Sequence, residues 1–255
     1  MKGPFFDAHD HLQAYQDKTK LNEALRLAAE AGVERMLCNG TSPADWEAVA
    51  ALAAEHKNII PCFGLHPWFI KDGAPGWLET LESFLLRLPS GVGEIGLDGG
   101  RNAADPARQE GVFTAQLRLA KKLGRPVCVH CVKAWGRLAE LLKEEAPGPF
   151  MLHSYGGPPE LMAVFASLGG YFSFSGAIMD RKREKLRRAF LAAPADRLLF
   201  ETEAPDADAP GWRAGPAGVA EVISAAAEIS GRPAEELSAL SWANGNKFIG
   251  GLKGL

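Results

Sequence analysis

The sequence has no apolar run close to the roughly 20 residues that a membrane-spanning helix requires. Its first residues, Met1–Phe6, are followed by an aspartate and two histidines, which leaves no room for the apolar segment of a signal peptide. We therefore expect a cytoplasmic protein that has no membrane partner.

Cysteine is scarce: the chain has four, Cys38, Cys62, Cys128 and Cys131. Each lies within or directly after a predicted buried strand, which is typical of reduced thiols in a core and not of a disulfide framework. Cys128 and Cys131 have the spacing of half a zinc ribbon, but a second such pair is missing. We expect packing thiols and no zinc ribbon.

The chain also lacks a strong excess of charge. Its 47% hydrophobic and 23% charged residues are typical of a globular protein. A net charge of -3 gives no chain-wide attraction to nucleic acid or to an anionic membrane, so an anionic partner needs a local basic patch. Low-complexity tracts, fixed-period repeats and dividing linkers are absent too, and we expect one domain over residues 1–255.

Short strand-like runs alternate with amphipathic helical stretches along the whole chain, an order that favours parallel βα units. The predicted strands are Phe5–Asp7, Arg35–Cys38, Ile59–Phe63, Gly91–Glu94, Pro126–His130, Phe150–His153, Tyr171–Phe174 and Leu198–Glu201. Eight such units in about 250 residues predict an α/β fold, the (β/α)8 TIM barrel. The helical sequence after Gly215 is expected to close the bottom or the side of the barrel.

Two helix starts carry a capping residue followed by proline. Ser42-Pro43 and Asp105-Pro106 each predict a helix that begins at the proline. The helix after Asp105 is predicted to end at Gly124, because glycine is favoured just past a helix end.

Histidine is rare as well, yet its placement is far from random. Five of the six histidines follow or end predicted strands, namely His9, His11, His66, His130 and His153. His56, at a predicted helix end, is the exception. Because the carboxyl ends of the strands meet at the mouth of a barrel, these five side chains predict an active site there.

The segment Phe6-Asp7-Ala8-His9-Asp10-His11 is the most informative part of this pattern. Residues two apart on a strand face the same way, so His9 and His11 are expected to bind one ion together. Glu94, at the end of the fourth strand, is placed to bridge two ions. His130 and His153 end neighbouring strands and are expected to bind the second ion.

The eighth strand ends in Glu201-Thr202-Glu203, next to the first strand in a closed barrel. Glu203 lies farther toward the mouth and is the better candidate ligand of the two glutamates. The predicted ligands are His9, His11, Glu94, His130, His153 and Glu203. This nitrogen and oxygen set fits two divalent ions of zinc, manganese, nickel, cobalt or magnesium without ranking them.

A pair of such ions would activate water and stabilise charge on the attacking and leaving oxygens. This chemistry suits hydrolysis of an ester, an amide or a phosphodiester, with Glu94, His66 and Glu203 as the catalytic residues. His66 is too far round the barrel to complete the first ion's shell, so we expect it to bind an oxyanion or a phosphate.

Cations near the mouth are candidates for binding substrate phosphate. They are Lys133 and, after the seventh strand, a run that starts with Arg181 and Lys182 and continues with Arg183, Lys185, Arg187 and Arg188. A solvated helix face remains the alternative for this run. Trp68, Trp135 and Trp212 follow strands and could stack on bases or simply pack.

Nine short segments, in a fixed order along the chain, match the motifs of a known family. They are Asp7-Ala8-His9-Asp10-His11-Leu12, Gly64-Leu65-His66-Pro67, Gly93-Glu94-Ile95-Gly96-Leu97-Asp98, Arg108-Gln109 with Gln116-Leu117, Pro126-Val127-Cys128-Val129-His130, Leu152-His153-Ser154-Tyr155, Phe172-Ser173-Phe174-Ser175-Gly176, Leu198-Leu199-Phe200-Glu201-Thr202-Glu203-Ala204-Pro205 and Asn244-Gly245-Asn246-Lys247. Over nearly its whole length the chain resembles the TatD family of metal-dependent deoxyribonucleases, within the amidohydrolase-like barrels. The resemblance implies the same ligand set, DNA as the substrate, and a place for His66 near the scissile phosphate.

Three positions depart from the family pattern. Glu203 stands where the family usually has aspartate, Val132 where it usually has a basic residue, and Gly99 where an aromatic residue often follows Asp98. We expect the longer Glu203 either to fold back onto the first ion or to reach it through water, which would weaken that site and leave the second untouched. Two alternatives stay open: a barrel hydrolase of small amides, lactones or phosphoesters, and a weakly active metal-binding barrel.

Overall fold

The computed structural model describes residues 3–72, 75–100, 105–205 and 215–252. Eight strands alternate with helices along the chain. The strands are β1 (Phe5–Asp10), β2 (Val33–Asn39), β3 (Ile59–Phe63), β4 (Gly91–Asp98), β5 (Val127–Val132), β6 (Phe150–Leu152), β7 (Gly170–Phe174) and β8 (Leu198–Phe200). The helices are α1 (Lys18–Ala31), α2 (Trp46–Glu55), α3 (Trp77–Arg87), α4 (Pro106–Leu123), α5 (Trp135–Glu145), α6 (Met162–Ser167), α7 (Glu184–Ala192), α8 (Val219–Ser230) and α9 (Ala234–Ile249).

The strands form one parallel sheet in chain order, from β1 to β8. After β8, the chain forms backbone hydrogen bonds with the end of β1. The amide of Glu203 donates to the carbonyl of His9 at 3.0 Å, and the amide of His11 donates to the carbonyl of Ala204 at 2.6 Å. The barrel is therefore nearly closed, and the predicted (β/α)8 TIM barrel is confirmed.

Two apolar clusters hold the barrel together. The larger lies between the strands and the surrounding helices, and the smaller fills the barrel. Seven strands contribute to the smaller one through Phe6, Ala8, Leu37, Ile60, Cys62, Cys128, Met151, Tyr171 and Leu199. Strand β4 contributes glycine there, because a Cβ on Gly93 would lie 2.6 Å from that of Cys128.

Helix α9 closes the bottom of the barrel. Phe248 and Ile249 join the smaller cluster, and Gly245 lies so close to the ring of Phe6 that a Cβ would be 2.6 Å from it. This is the closure that the helical sequence after Gly215 predicts.

Strand β4 is the one that differs most from its predicted bounds. It was expected to end at Glu94 but runs to Asp98, and Gly96 pairs with His130 of β5. The φ of Gly96 is +154°, and a Cβ there would meet the carbonyl oxygen of His130 at 1.9 Å. Glycine at this position allows β4 and β5 to remain paired as far as the mouth of the barrel, so the hydrogen bonds between the two strands continue past Glu94.

The two predicted helix starts had different outcomes. Asp105 caps α4 by accepting a hydrogen bond from the amide of Arg108, and the helix ends at Gly124 in the left-handed region, as predicted. The helix start at Ser42-Pro43 is wrong, because α2 begins only at Trp46. The carboxylate of Asp45 accepts hydrogen bonds from the amides of Thr41 and Ser42 and holds this segment as a turn instead.

The four cysteines are free and buried. Within the described parts of the chain, no helix combines the length and the apolar character needed to cross a bilayer. A cytoplasmic location stays a prediction.

Candidate metal centre

The predicted site residues converge at the carboxyl ends of the strands. His9, Glu94 and His130 lie within β1, β4 and β5, and the others directly follow strands. A cavity of about 600 Å³ opens there, and its lining includes His11, His66, Glu94, His130, His153 and Glu203. His9 lies beneath, fully buried. His56 caps the end of α2 and is not part of this cluster.

Glu94 occupies the centre of the cluster, and its two carboxylate oxygens face different histidines. Oε2 lies 3.4 Å from Nε2 of His9 and 3.3 Å from Nε2 of His11. Oε1 lies 2.9 Å from Nε2 of His153 and 3.0 Å from Nδ1 of His130. One carboxylate thus separates two pairs of imidazole nitrogens, which is the arrangement of a bridging ligand.

The spacing within each pair fits a shared cation. Nε2 of His9 and Nε2 of His11 lie 3.1 Å apart, and Nδ1 of His130 and Nε2 of His153 lie 3.2 Å apart. Two nitrogens that each lie about 2.0 to 2.1 Å from one ion, at tetrahedral to octahedral angles, are about 2.8 to 3.4 Å apart. Among the described residues, the sets of three whose ligand atoms lie within 4.8 Å are His9-Glu94-His153, His9-His11-Glu203, His66-Glu94-His130 and His153-Glu201-Glu203.

Glu203 turns back toward the cluster, the first of the two geometries expected for the longer side chain. Its φ is +61°, its Oε2 lies 3.8 Å from Nε2 of His9, and its Oε1 lies 2.9 Å from Nδ1 of His153. The expectation that this residue leaves the second group of ligands untouched is wrong, because His153 belongs to that group. Glu203 therefore connects the two groups.

The carboxylates and imidazoles of the cluster shift one another's pKa. Burial alone would raise the pKa of Glu94, but the facing imidazoles, His66 and His153 first, hold it well below its ordinary value. Burial likewise opposes protonation of His153, yet the charges of Glu94 and Glu203 raise its pKa well above the ordinary value. Burial lowers the pKa of His9 to about 4, so its imidazole is neutral and its lone pair is free for a metal.

His66 presents a hydrogen to the cluster and not a lone pair. Its Nδ1 accepts a hydrogen bond from the amide of Trp68 at 3.1 Å, and burial lowers its pKa, so the neutral ring carries its hydrogen on Nε2. That Nε2 lies 3.2 Å from Oε1 of Glu94. Although its position beside Glu94 and His130 is that of a ligand, this tautomer suits the expected role of binding an anion.

Asp98 belongs to the site, although the sequence predicts no role for it there. Its Oδ2 lies 3.1 Å from Nε2 of His130 and accepts a hydrogen bond from the indole of Trp68 at 2.6 Å. The hydrogen bond from His130 is the main reason why the pKa of Asp98 falls to about 2. A longer fourth strand would have revealed it, because Glu94 and Asp98 have the same parity and share a face of the strand.

Two buried acids support the loop that carries Glu203. Asp7 accepts hydrogen bonds from the amide and the hydroxyl of Thr202, and burial raises its pKa to about 7. Glu201 accepts a hydrogen bond from the amide of Ser154 at 2.6 Å, and burial raises its pKa well above the ordinary value. Glu201 thus stabilises the backbone after His153, and Glu203 is the glutamate that lines the cavity.

The predicted phosphate-binding cations lie at different distances from this cavity. Val132, at the position where a basic residue was expected, lines the cavity, whereas Lys133 is an exposed residue next to it. Lys182 lines a second cleft, and Arg181 is exposed beside it.

Of the three tryptophans that follow predicted strands, Trp68 and Trp135 lie within the described residues. Trp68 lines the metal cavity and is 62% exposed, while Trp135 packs edge-on against Tyr155. Trp212 lies outside the described residues.

Comparisons with known proteins place this cavity in a family. The family model for TatD related DNase matches residues 6–250. A protein named 3'-5' ssDNA/RNA exonuclease TatD, from Klebsiella pneumoniae (strain 342), is 34% identical over 206 residues, 78% of each chain. The metal-dependent hydrolase YjjV of Escherichia coli (strain K12) is 30% identical over 92% of this chain and 93% of its own length. The crystal structure of the YjjV TatD homologue superposes with a TM-score of 0.89, at 29% identity over 98% of both chains. The chain therefore belongs to the TatD-related DNase family of metal-dependent hydrolases.

Proposed function

We propose that this protein is a two-metal phosphodiesterase that cleaves single-stranded nucleic acid. The observation that carries the proposal is the position of Glu94, whose two oxygens face separate pairs of imidazole nitrogens 3.1 and 3.2 Å apart. A site built for one ion would not need a carboxylate between two complete pairs.

Each of the two ions would be held by its own ligands, and both would share Glu94. His9, His11 and Glu203 complete the first set, and His130 and His153 complete the second. Zinc, manganese, nickel, cobalt and magnesium all suit such nitrogen and oxygen donors. Once bound, the ions supply an activated water and stabilise charge on the attacking and leaving oxygens.

Three side chains of the protein take part in the reaction directly. The Nε2 hydrogen of His66, which faces Oε1 of Glu94 in the structure, donates to a non-bridging phosphate oxygen when substrate is bound. Oε2 of Glu203 accepts the proton of the attacking water, and Oε1 keeps its hydrogen bond to His153. Glu94 holds the two halves of the site at a fixed separation.

The names of the relatives, as exonucleases of single-stranded DNA and RNA, support nucleic acid as the substrate. Lys133, beside the metal cavity, and Arg181 and Lys182, at the second cleft, are exposed cations and are proposed to contact substrate phosphates. Their contribution predicts that binding of single-stranded DNA weakens as the salt concentration rises.

The test combines metal content with activity. Protein purified without chelator is expected to contain two divalent ions per chain by elemental analysis and to hydrolyse end-labelled single-stranded DNA. His9→Ala and His153→Ala are each expected to abolish turnover while circular dichroism remains that of the wild type, because residues at a barrel mouth serve chemistry more than folding.

His56→Ala is the matched control, because this histidine lies outside the cluster, and it is expected to retain full activity. Wild-type turnover by His9→Ala or His153→Ala would show that the residue is not a ligand. The protein would be a small-molecule hydrolase and not a nuclease if it hydrolysed lactones or amides but cleaved no DNA when loaded with each of the five metals in turn.

A further inference from the structure

Three cavities lie in a row on the mouth of the barrel and share residues. The metal cavity, of about 600 Å³, shares Ser154 with a cleft of about 500 Å³. That cleft in turn shares Gly156 and Lys185 with a third one of about 360 Å³. Together the second and third clefts form a groove that leads away from the metal cavity.

We propose that this groove, lined by Ser154, Gly156, Lys182, Lys185 and Arg188, holds the sugar-phosphate backbone of the substrate strand on one side of the scissile bond. The inference rests on the proposed function and adds a binding site for nucleotides that the metal cavity does not contact.

The lining of the groove has more cations than acids, which favours phosphate: Lys182, Arg183, Lys185 and Arg188 against Glu160 and Glu184. Lys182, Lys185 and Arg188 are exposed, and none of them forms an ion pair with any residue that the structure describes. Arg183 is balanced in part by Asp180, whose carboxylate lies 3.8 Å away. The three unpaired cations therefore remain available to an anionic ligand.

The three cations are regularly spaced along the chain. Lys182, Lys185 and Arg188 are each three residues apart, and the last two lie on one face of α7 because residues three apart on a helix are neighbours. A cation in the first turn opposes the helix dipole and therefore destabilises the helix slightly. A role in binding gives a reason for keeping Lys185 in this first turn.

Ser154 is the point where the groove joins the metal centre. It directly follows His153, has a φ of +43°, and its amide is held by the carboxylate of Glu201 at 2.6 Å. Its hydroxyl lies 3.3 Å from that of Ser175. A strand whose scissile phosphate lies at Glu94 thus passes Ser154 directly on its way into the groove.

The far end of the groove carries an aromatic side chain. Trp135 lines the third cleft beside Lys185 and Arg188, and its ring is fixed edge-on against Tyr155, with the centroids 4.9 Å apart. Grooves that bind single strands combine a line of cations with aromatic surfaces on which bases stack. The combination favours a nucleic acid strand over an isolated anion.

The test uses substrates of increasing length. KM and kcat are measured with bis(4-nitrophenyl) phosphate, a dinucleotide and single-stranded oligodeoxythymidylates of three to twelve nucleotides, and binding of a fluorescein-labelled twelve-nucleotide strand is followed by anisotropy. For the wild type, KM is expected to fall with length until the groove is filled and then to level off.

The variant Lys185→Glu/Arg188→Glu is expected to raise KM for the twelve-nucleotide strand about 10- to 100-fold and to leave the turnover of bis(4-nitrophenyl) phosphate unchanged. Loss of two phosphate contacts should reduce the slope of log affinity against log salt by about 1.4. Lys185→Gln/Arg188→Gln should show an intermediate effect. Lys57→Glu/Lys143→Glu makes the same change in net charge at exposed positions of the opposite barrel end and should behave as the wild type.

The outcomes separate the two proposals. A wild-type length dependence and salt slope in Lys185→Glu/Arg188→Glu would overturn the groove while the phosphodiesterase stands. Groove-dependent binding of the labelled strand without hydrolysis of any diester would overturn the phosphodiesterase while the groove stands.

Discussion

Asp98 lies 3.1 Å from Nε2 of His130, on the opposite side of the imidazole ring from Glu94. Because a carboxylate only accepts hydrogen bonds, Asp98 keeps a hydrogen on Nε2, and a metal ion bound by Glu94 would occupy Nδ1 in place of the hydrogen that faces Oε1 of Glu94. Carboxylates in this position orient metal-binding histidines and strengthen them as ligands.

Asp98→Asn is therefore expected to lower both the affinity for the second ion and the rate by about 10- to 100-fold. The amide can donate to Nε2 and thereby move the hydrogen to Nδ1, where it blocks the ligand position. Affinity is measured by competition with a chromophoric chelator. Asp17→Asn, the same change at the exposed cap of α1, should leave both quantities unchanged. A metal affinity of Asp98→Asn equal to that of the wild type would show that Asp98 does not support His130 as a ligand.

Trp68 has two separable contacts, an exposed ring face at the cavity and an indole hydrogen bond to Asp98. Trp68→Phe keeps an aromatic surface and removes the hydrogen bond, so we expect KM for single-stranded DNA to stay near the wild-type value while kcat falls. Trp68→Ala removes both contacts and should also raise KM, because stacking of a base on an aromatic ring contributes about 1 to 3 kcal/mol. Identical KM values for the two variants would show that the ring face binds no base.

Glu203→Asp separates the sequence-based expectation from the structural one. The family pattern predicts that the shorter side chain raises first-site metal affinity and rate, since aspartate is usual at this position. In the structure, Oε1 of Glu203 already lies 2.9 Å from Nδ1 of His153, and shortening the side chain by one methylene would break this contact. We expect Glu203→Asp to lower kcat at least about 10-fold, since misplacement by about 1 Å can cost 10²-fold in rate. A faster Glu203→Asp enzyme would show instead that glutamate strains the site.

Gly96→Ala tests the backbone that carries His130. A Cβ at this position would meet the carbonyl oxygen of His130 at 1.9 Å, and the φ of +154° is unfavourable for alanine. We expect the free energy of unfolding in urea to fall by about 3 kcal/mol or more, and metal affinity to fall with it. Gly111→Ala, in the exposed interior of α4 with nothing within 4 Å of the new Cβ, should raise stability by about 0.5 to 1 kcal/mol. Similar effects of the two substitutions would contradict the close approach of β4 and β5.

The sequence by itself determined the barrel and the convergence of the histidines. Alternating strand and helix signals leave few architectures, and parallel strands of a barrel necessarily bring their carboxyl ends to one mouth. For that reason His9, His130 and Glu203 could be assigned to one site although they are far apart in the chain. The extra helix at the base was predictable too, because eight βα units were complete before it.

Only the tertiary structure decided how these residues connect. Asp98 was missed because the end of a strand depends on pairing with its neighbour, here Gly96 with His130, and such pairing leaves little trace in local sequence. The link between Glu203 and His153 depends on a backbone φ and a side-chain rotamer, which neither spacing nor composition specifies. The groove beside Ser154 joins residues from two separate βα loops, and whether Lys182 and Lys185 face a shared cleft or open solvent is settled by packing between those loops.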